Sequence, residues 1–173
     1  KKVVRLRMNK TKDELDKIQE SIDVTKGALE NVLKNINGGL TMSKKISVGF
    51  IGTGVMGKSL VKHLLNDHHE VTIYTRTKEK AADLVKEGAV WVSSPSEVAK
   101  KVEILFTMVG YPHDVEEVYF GDNGIFQIDN VNLIVIDMTT STPTLAKKIE
   151  EKAKAIHQKG FEQMKPVMEQ IKT

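Results

Sequence analysis

The sequence predicts an α/β fold in which helices cover both faces of a doubly wound parallel sheet. Three observations lead to this prediction. From Ile46 onward, short apolar segments alternate with amphipathic helical patterns. The segment Glu103–Val109 is almost continuously apolar, as expected of a strand that is buried on both faces. The first apolar segment also runs directly into a glycine-rich turn, and a helical pattern follows that turn.

The predicted elements alternate along the chain. Strands are predicted at Ile46–Ile51, Glu70–Tyr74, Ala89–Val92, Glu103–Val109 and Leu133–Asp137. Helices are predicted at Val55–Asn66, Lys78–Glu87, a short segment that Ser94-Pro95-Ser96-Glu97 opens as a capping box, Pro112–Phe120 and a long segment that Thr142-Pro143 caps. The last helix is predicted to bury Leu145, Ile149, Ala153 and Ile156 and to end at Gly160.

The chain divides into three predicted parts: residues 1–41, 42–160 and 161–173. The first is a basic arm followed by an amphipathic helix, and we interpret it as an extension, a fusion or an altered start. Its apolar positions from Leu15 to Ile36 follow a heptad spacing. This helix either packs on its own domain or tail, or pairs with a partner subunit and forms a homo-oligomer. The last part is predicted to be a short helical tail.

Composition excludes several classes of function. The absence of cysteine excludes disulfides and zinc–thiolate sites, and no His, Asp and Glu spacing indicates a metal site. No apolar run reaches the about 18–20 residues that cross a bilayer, and the basic start lacks the apolar core of a signal peptide. We therefore expect a cytoplasmic protein without a membrane partner. The net charge of +3 and the lack of a basic face with aromatic residues argue against nucleic-acid binding.

The turn after the first strand has the spacing G-x-G-x-x-G, formed by Gly52, Gly54 and Gly57. In this setting the first glycine permits the tight turn, the second lets a pyrophosphate approach the backbone, and the third lets the helix pack closely. The helix that begins near Val55 would direct its free N–H groups at the anion. The sequence therefore predicts a dinucleotide site in a Rossmann-type sheet.

The residues after the second strand favour NADP(H) over NAD(H). An acid that binds the ribose hydroxyls is typical of NAD sites, but no carboxylate precedes Glu79 here. Arg76 can bind a 2′-phosphate through two charge-assisted hydrogen bonds and stack on the adenine. Thr75 and Thr77 supply hydroxyl donors, and Lys78 or Lys80 adds positive charge. The alternative is that Arg76 is a surface residue at the start of a helix.

Four segments resemble the N-terminal domain of the beta-hydroxyacid dehydrogenases, and the likeness extends from Ile46 to about Phe161. The glycine turn resembles the family's G-x-I/L-G-x-G-x-M-G opening. The other three segments are similar to its N-R-T segment, its strand-four end and its D-x-S-T-x-x-P segment. They are, in order, Tyr74-Thr75-Arg76-Thr77, Thr107-Met108-Val109-Gly110 and Asp137-Met138-Thr139-Thr140-Ser141-Thr142-Pro143.

The resemblance implies a set of coenzyme contacts. It places the pyrophosphate against Gly52, Gly54, Val55, Met56 and Gly57. It places the 2′-phosphate against Arg76 and Thr77, the adenosine or ribose near Met108 and Val109, and the nicotinamide near Thr140. Two alternatives remain: Met108 and Val109 pack in the core, and Thr139 and Thr140 cap the next helix.

The sequence also departs from that family. The D-A-P-V-S-G-G substrate motif, the lysine of the G-x-G-x-x-x-K-x-x-N pattern and the all-helical second domain are absent, so the chain is expected to be shortened. Lys165 does not match the lysine motif, and His113 is a weak candidate for a site residue. We expect the NADP(H)-binding domain of an oxidoreductase that transfers hydride between nicotinamide and a small 3-hydroxyacid or semialdehyde. The alternative is a non-catalytic nucleotide-binding or interaction module.

Overall fold

The computed structural model describes Gly27 and residues 46–128, 130, 132–139 and 141–171, with the side chains of the last helix described as far as His157. The chain divides into two compact units, Lys1–Lys44 and Lys45–Thr173. The strands and helices given below lie in the second unit. The predicted helix with heptad positions from Leu15 to Ile36 lies outside the described residues, apart from Gly27, and so does Thr140.

The sheet has five strands in the order β3-β2-β1-β4-β5, and each neighbouring pair is parallel. The strands are β1 Ser47–Ile51, β2 Glu70–Tyr74, β3 Val90–Trp91, β4 Ile104–Thr107 and β5 Ile134–Asp137. In register, Val48 of β1 lies between Val71 of β2 and Ile104 of β4. The chain adds strands on one side of β1 as far as β3 and then returns to its other side. The predicted α/β fold with a parallel sheet is therefore confirmed.

The helices connect successive strands. They are α1 Val55–Asn66, α2 Ala82–Lys86, α3 Pro95–Lys101, α4 Pro112–Phe120 and α5 Pro143–Ile171, with 3-10 turns at Lys78–Ala81 and Ile125–Gln127. The bounds of α1 and α4 are those that the sequence predicts. The single helix predicted at Lys78–Glu87 is instead a 3-10 turn followed by one short α-helix.

Two predictions about helix ends need correction. The helix predicted to end at Gly160 continues to Ile171 as one helix of 29 residues. One glycine costs a helix only about 1 kcal/mol, which is too little to break it by itself. At α3, Ser94 caps the helix by accepting a hydrogen bond from the Glu97 N–H at 3.2 Å. The Glu97 carboxylate, however, accepts from the N–H and hydroxyl of Ser93 at 2.7 and 2.8 Å, one residue earlier than a capping box requires.

The core lies between β1, β4 and the helices on each face. All four residues of β4 are buried, as the apolar run predicts, and the rings of Phe50 and Phe106 stack at 6.0 Å. Helix α1 buries Leu60, Val61 and Leu64 completely, whereas the predicted core residues Met56 and Leu65 are only half-buried. In helix α5, Leu145 is buried and Ile149 and Ile156 are half-buried, whereas Ala153 is exposed, contrary to prediction.

The part of the chain that the structure describes contains neither a helix long and apolar enough to cross a membrane nor a group of three metal-binding side chains.

Candidate dinucleotide-binding site

The turn between β1 and α1 is built around backbone close contacts. Gly52 has a φ of +100°, a conformation that side-chain-bearing residues rarely adopt. A Cβ atom at this position would lie 2.1 Å from the carbonyl oxygen of Met108. The Gly52 N–H donates to the carbonyl oxygen of Tyr74 at 3.2 Å, so the turn is tied to the end of β2. Only glycine fits here.

The other two glycines of the turn have opposite surroundings. A Cβ atom at Gly54 would meet no atom within 4 Å, so its backbone faces open space that a phosphate can enter. A Cβ atom at Gly57 would lie 2.0 Å from the carbonyl oxygen of Gly52, so α1 packs directly on the turn. Helix α1 has no side-chain cap and no acid in its first turn, which leaves its N-terminus available to an anion.

A cavity of about 700 Å³ opens at the carboxyl ends of β1, β2 and β4. This is the place where the strand order reverses, and open parallel sheets bind their ligands there. Six of the sequence-predicted site residues line it: Gly52, Gly54, Arg76, Thr77, Met108 and Val109. Three others do not line it: Val55 is 68% exposed, Met56 is half-buried, and Gly57 lies behind the turn.

The β2 side of the cavity carries the positive charge. Arg76 lines it with a side chain that is 68% exposed, and its Nη1 lies 3.0 Å from Oδ1 of Asp114. Of the two lysines considered for this site, Lys80 lines the cavity, whereas Lys78 lies over the Trp91 ring, 4.8 Å from its centroid. The half-buried Tyr74 lies beside them. Its pKa is raised by burial and, to a lesser extent, by Glu117, while Arg76 acts in the opposite direction.

The β4–β5 side of the cavity is held by a chain of hydrogen bonds. The buried Thr107 hydroxyl lies 2.9 Å from the Tyr119 hydroxyl and donates to Oδ1 of Asp137 at 2.8 Å. The same Asp137 oxygen accepts from the Thr139 N–H at 3.0 Å, and the Thr139 hydroxyl accepts from the Val109 N–H at 3.0 Å. The two strand ends are therefore fixed to each other where Val109 lines the cavity.

The helix-cap alternative for Thr139 does not agree with these contacts. Its hydroxyl binds the Val109 N–H, and the Thr142 hydroxyl accepts from the Leu145 N–H at 3.3 Å in the first turn of α5. The cap predicted at Thr142-Pro143 is therefore confirmed.

Sequence reasoning missed the acidic side chains of the cavity. Two cations, Arg76 and Lys80, share the lining with three carboxylates, those of Asp114, Glu117 and Asp122. Asp114 and Glu117 belong to α4, whose predicted bounds placed both on one helix face without showing what that face meets. The weak candidate His113 is 75% exposed and lies 3.5 Å from Asp114 without lining the cavity. The Lys165 side chain lies outside the described residues.

A glycine turn at the strand reversal of a parallel sheet defines the class: this is a dinucleotide-binding domain of the Rossmann type. Comparison with known families narrows the class. Residues 47–167 match the family described as the NAD binding domain of 6-phosphogluconate dehydrogenase. The chain belongs to this family, and residues 47–167 form an NAD(P)-binding domain.

Relatives and solved structures agree with this assignment. The chain is 56% identical over 110 residues to an uncharacterized oxidoreductase, YkwC, of Bacillus subtilis. The aligned residues cover 64% of this chain and 38% of the relative. The chain is 41% identical over 107 residues to a probable 3-hydroxyisobutyrate dehydrogenase-like protein of Arabidopsis thaliana, covering 61% and 32% of the two chains. The structure of Psf3 in complex with NADP+ and 2-OPP superposes with a TM-score of 0.60 at 31% identity, covering 64% and 39%.

The chain thus spans 32–39% of the length of these relatives. The predicted resemblance to the beta-hydroxyacid dehydrogenases is confirmed, because several relatives are named as probable 3-hydroxyisobutyrate dehydrogenase-like proteins.

Proposed function

We propose that this domain binds NADP(H) in preference to NAD(H), and that it serves an oxidoreductase acting on a small 3-hydroxyacid or semialdehyde. The observation that carries the proposal is the position of Arg76, whose guanidinium lies on the cavity at the end of β2. This is where the adenosine ribose lies in a Rossmann-type site. Thr77 and Lys80 line the same wall, so a 2′-phosphate would meet two cations and a hydroxyl there.

With the 2′-phosphate at Arg76, the other parts of the coenzyme also find suitable surfaces along the cavity. The open space at Gly54 and the uncapped first turn of α1 suit the pyrophosphate. Met108 and Val109 supply apolar surface beyond it, and the hydrogen bonds of Thr139 hold Val109 in place. The Psf3 structure, which shares this fold, holds NADP+.

The reaction is proposed from the relatives that are named 3-hydroxyisobutyrate dehydrogenases. A bound nicotinamide supplies or accepts a hydride. In this proposal the residues of the described domain bind the coenzyme and orient it. The test is NADPH consumption by the full-length protein with small semialdehydes; a protein that binds NADPH but turns over none of them would contradict this part of the proposal.

The coenzyme preference is tested by binding. Titration followed by NADPH and NADH fluorescence should give a lower Kd for NADPH. We expect Arg76→Ala to raise the Kd for NADPH about tenfold or more, because a charge-assisted contact to the 2′-phosphate is lost, and to change that for NADH by less than about twofold. Lys86→Ala is the matched control, since it removes the same charge from the exposed end of α2. Equal affinities for the two coenzymes would refute the preference.

A further inference from the structure

Asp114 is a buried acid in a cavity that binds a polyanion. It is the third residue of α4, and its side chain is only 7% exposed. Its Oδ2 accepts a hydrogen bond from the Tyr111 N–H at 3.2 Å, and the N-terminus of the helix favours its negative charge. Asp114 is therefore held in one place by its own helix, whatever the cavity contains.

The second oxygen of Asp114 has no such partner. Oδ1 lies 3.0 Å from Nη1 of Arg76 and 3.5 Å from Nε2 of His113. Neither group is aligned with it for a hydrogen bond, so this buried oxygen has none among the described residues. His113 is 75% exposed and is charged only when protonated, whereas Arg76 is always charged. Arg76 is therefore the group that balances the buried charge.

We propose that Asp114 is the positioning residue for Arg76 and that it thereby determines the preference for the 2′-phosphate. The inference rests on the proposed function, because it assigns a task to Arg76. Asp114 belongs to α4 and Arg76 follows β2, so their ion pair spans the cavity between the two. A guanidinium has five donors in a planar fork and can bind two anions at once. Nη1 lies against the Asp114 carboxylate, and the other donors of the guanidinium remain for the phosphate.

The contact between Asp114 and Arg76 is better explained if Asp114 positions the guanidinium than if it repels the phosphate. The Arg76 side chain is 68% exposed and long, so without a partner it would sample many rotamers and lose that freedom when the coenzyme binds. A fixed carboxylate restricts the side chain before binding. The guanidinium also lies against the carboxylate, so a phosphate on its far side is separated from Asp114 by positive charge.

The test compares NADPH with NADH in four proteins: the wild type, Asp114→Asn, Arg76→Ala and the double variant. Asparagine keeps an acceptor for the Tyr111 N–H and removes the charge that faces Arg76. We expect Asp114→Asn to raise the Kd for NADPH about fivefold and leave the Kd for NADH unchanged. In the Arg76→Ala background the same change should have no effect. Glu116→Gln is the control, since it removes a carboxylate of α4 that pairs with Lys148 instead.

Three outcomes would overturn the inference. Tighter NADPH binding by Asp114→Asn would show that the acid repels the phosphate. If Asp114→Asn weakened the binding of NADPH and NADH equally, and did so in the Arg76→Ala background as well, Asp114 would contact a part of the coenzyme that both share. A wild type without NADPH preference would refute the proposed function itself, and the inference with it. NADH affinity reports whether the site is intact, and Asp114→Ser, which also suits a helix N-terminus, repeats the test if the asparagine variant does not fold.

Discussion

The three glycines of the β1–α1 turn lie within six residues of one another, but a methyl group would meet different surroundings at each glycine. At Gly52 and Gly57 it would lie 2.1 and 2.0 Å from a carbonyl oxygen, and at Gly54 it would meet nothing. We expect Gly57→Ala to lower the free energy of unfolding by about 1–3 kcal/mol, because backbone must move. Gly52→Ala should cost at least as much, since it is also strained at φ +100°. Urea unfolding measures both changes.

Gly54→Ala should weaken coenzyme binding without lowering the stability of the fold. Its methyl group has room, so we expect a thermal midpoint close to that of the wild type. The same methyl group fills the space that the pyrophosphate would enter, so the Kd for NADPH should rise about tenfold or more. A variant that binds as well as the wild type would show that the phosphate lies elsewhere.

The site residues that the sequence could predict are those that depend on the backbone and the nearby chain. Glycine spacing identifies the turn because only glycine tolerates its conformation and close contacts, and Arg76 follows directly from the end of β2. Asp114 could not be predicted, because its role depends on α4 packing opposite a residue 38 positions earlier in the chain. No local sequence pattern indicates this contact between two distant segments.

At the scale of elements, the Thr139 hydroxyl joins the segments that follow β4 and β5. We expect Thr139→Val to lower the free energy of unfolding by about 1 kcal/mol, because the half-buried Val109 N–H loses its acceptor. Thr139→Ser keeps the hydroxyl and should restore most of the stability. Chemical denaturation compares the two variants; equal losses would mean that the methyl group matters and the hydrogen bond does not.

The sequence predicted both ends of two helices correctly, but not the end of α5. Val55–Asn66 and Pro112–Phe120 were predicted to the residue. The end of α5 was wrong because Gly160 was treated as a stop, although a glycine only weakens a helix. The exposure of Ala153, on the predicted inward face of α5, depends on how the helix packs, which the helical pattern does not show.

At the scale of the whole molecule, the parallel fold was predictable because alternating strand and helix patterns admit few topologies. The strand order places the cavity without any knowledge of side chains. The stability of the fold, by contrast, depends on polar groups in the core. Burial, together with the charge of Asp137, raises the pKa of the Tyr119 phenol well above its ordinary value of 10.0. The phenol therefore stays protonated in the folded state at pH values where the unfolded chain ionises.

This difference predicts a loss of stability in alkali. Below pH 10 both states hold the proton, so Tyr119 gives no pH dependence. Above pH 10 the unfolded state alone loses it, and the free energy of unfolding should fall by about 1.4 kcal/mol per pH unit from this group. Tyr119→Phe should reduce that slope, although it loses the bond to Thr107 at neutral pH. Tyr111→Phe, at an exposed phenol, is the control; equal slopes in both variants would contradict the assignment.

The charges that line the cavity affect how fast the coenzyme arrives. Two cations and three carboxylates face the entering phosphates, although the chain as a whole carries a net charge of +3. Such a lining gives little long-range attraction, so the encounter rate should be ordinary for uncharged partners and should depend weakly on ionic strength. In the proposed site, capture would then take place at short range, by the N–H groups of the α1 N-terminus and by the Arg76 guanidinium that Asp114 holds.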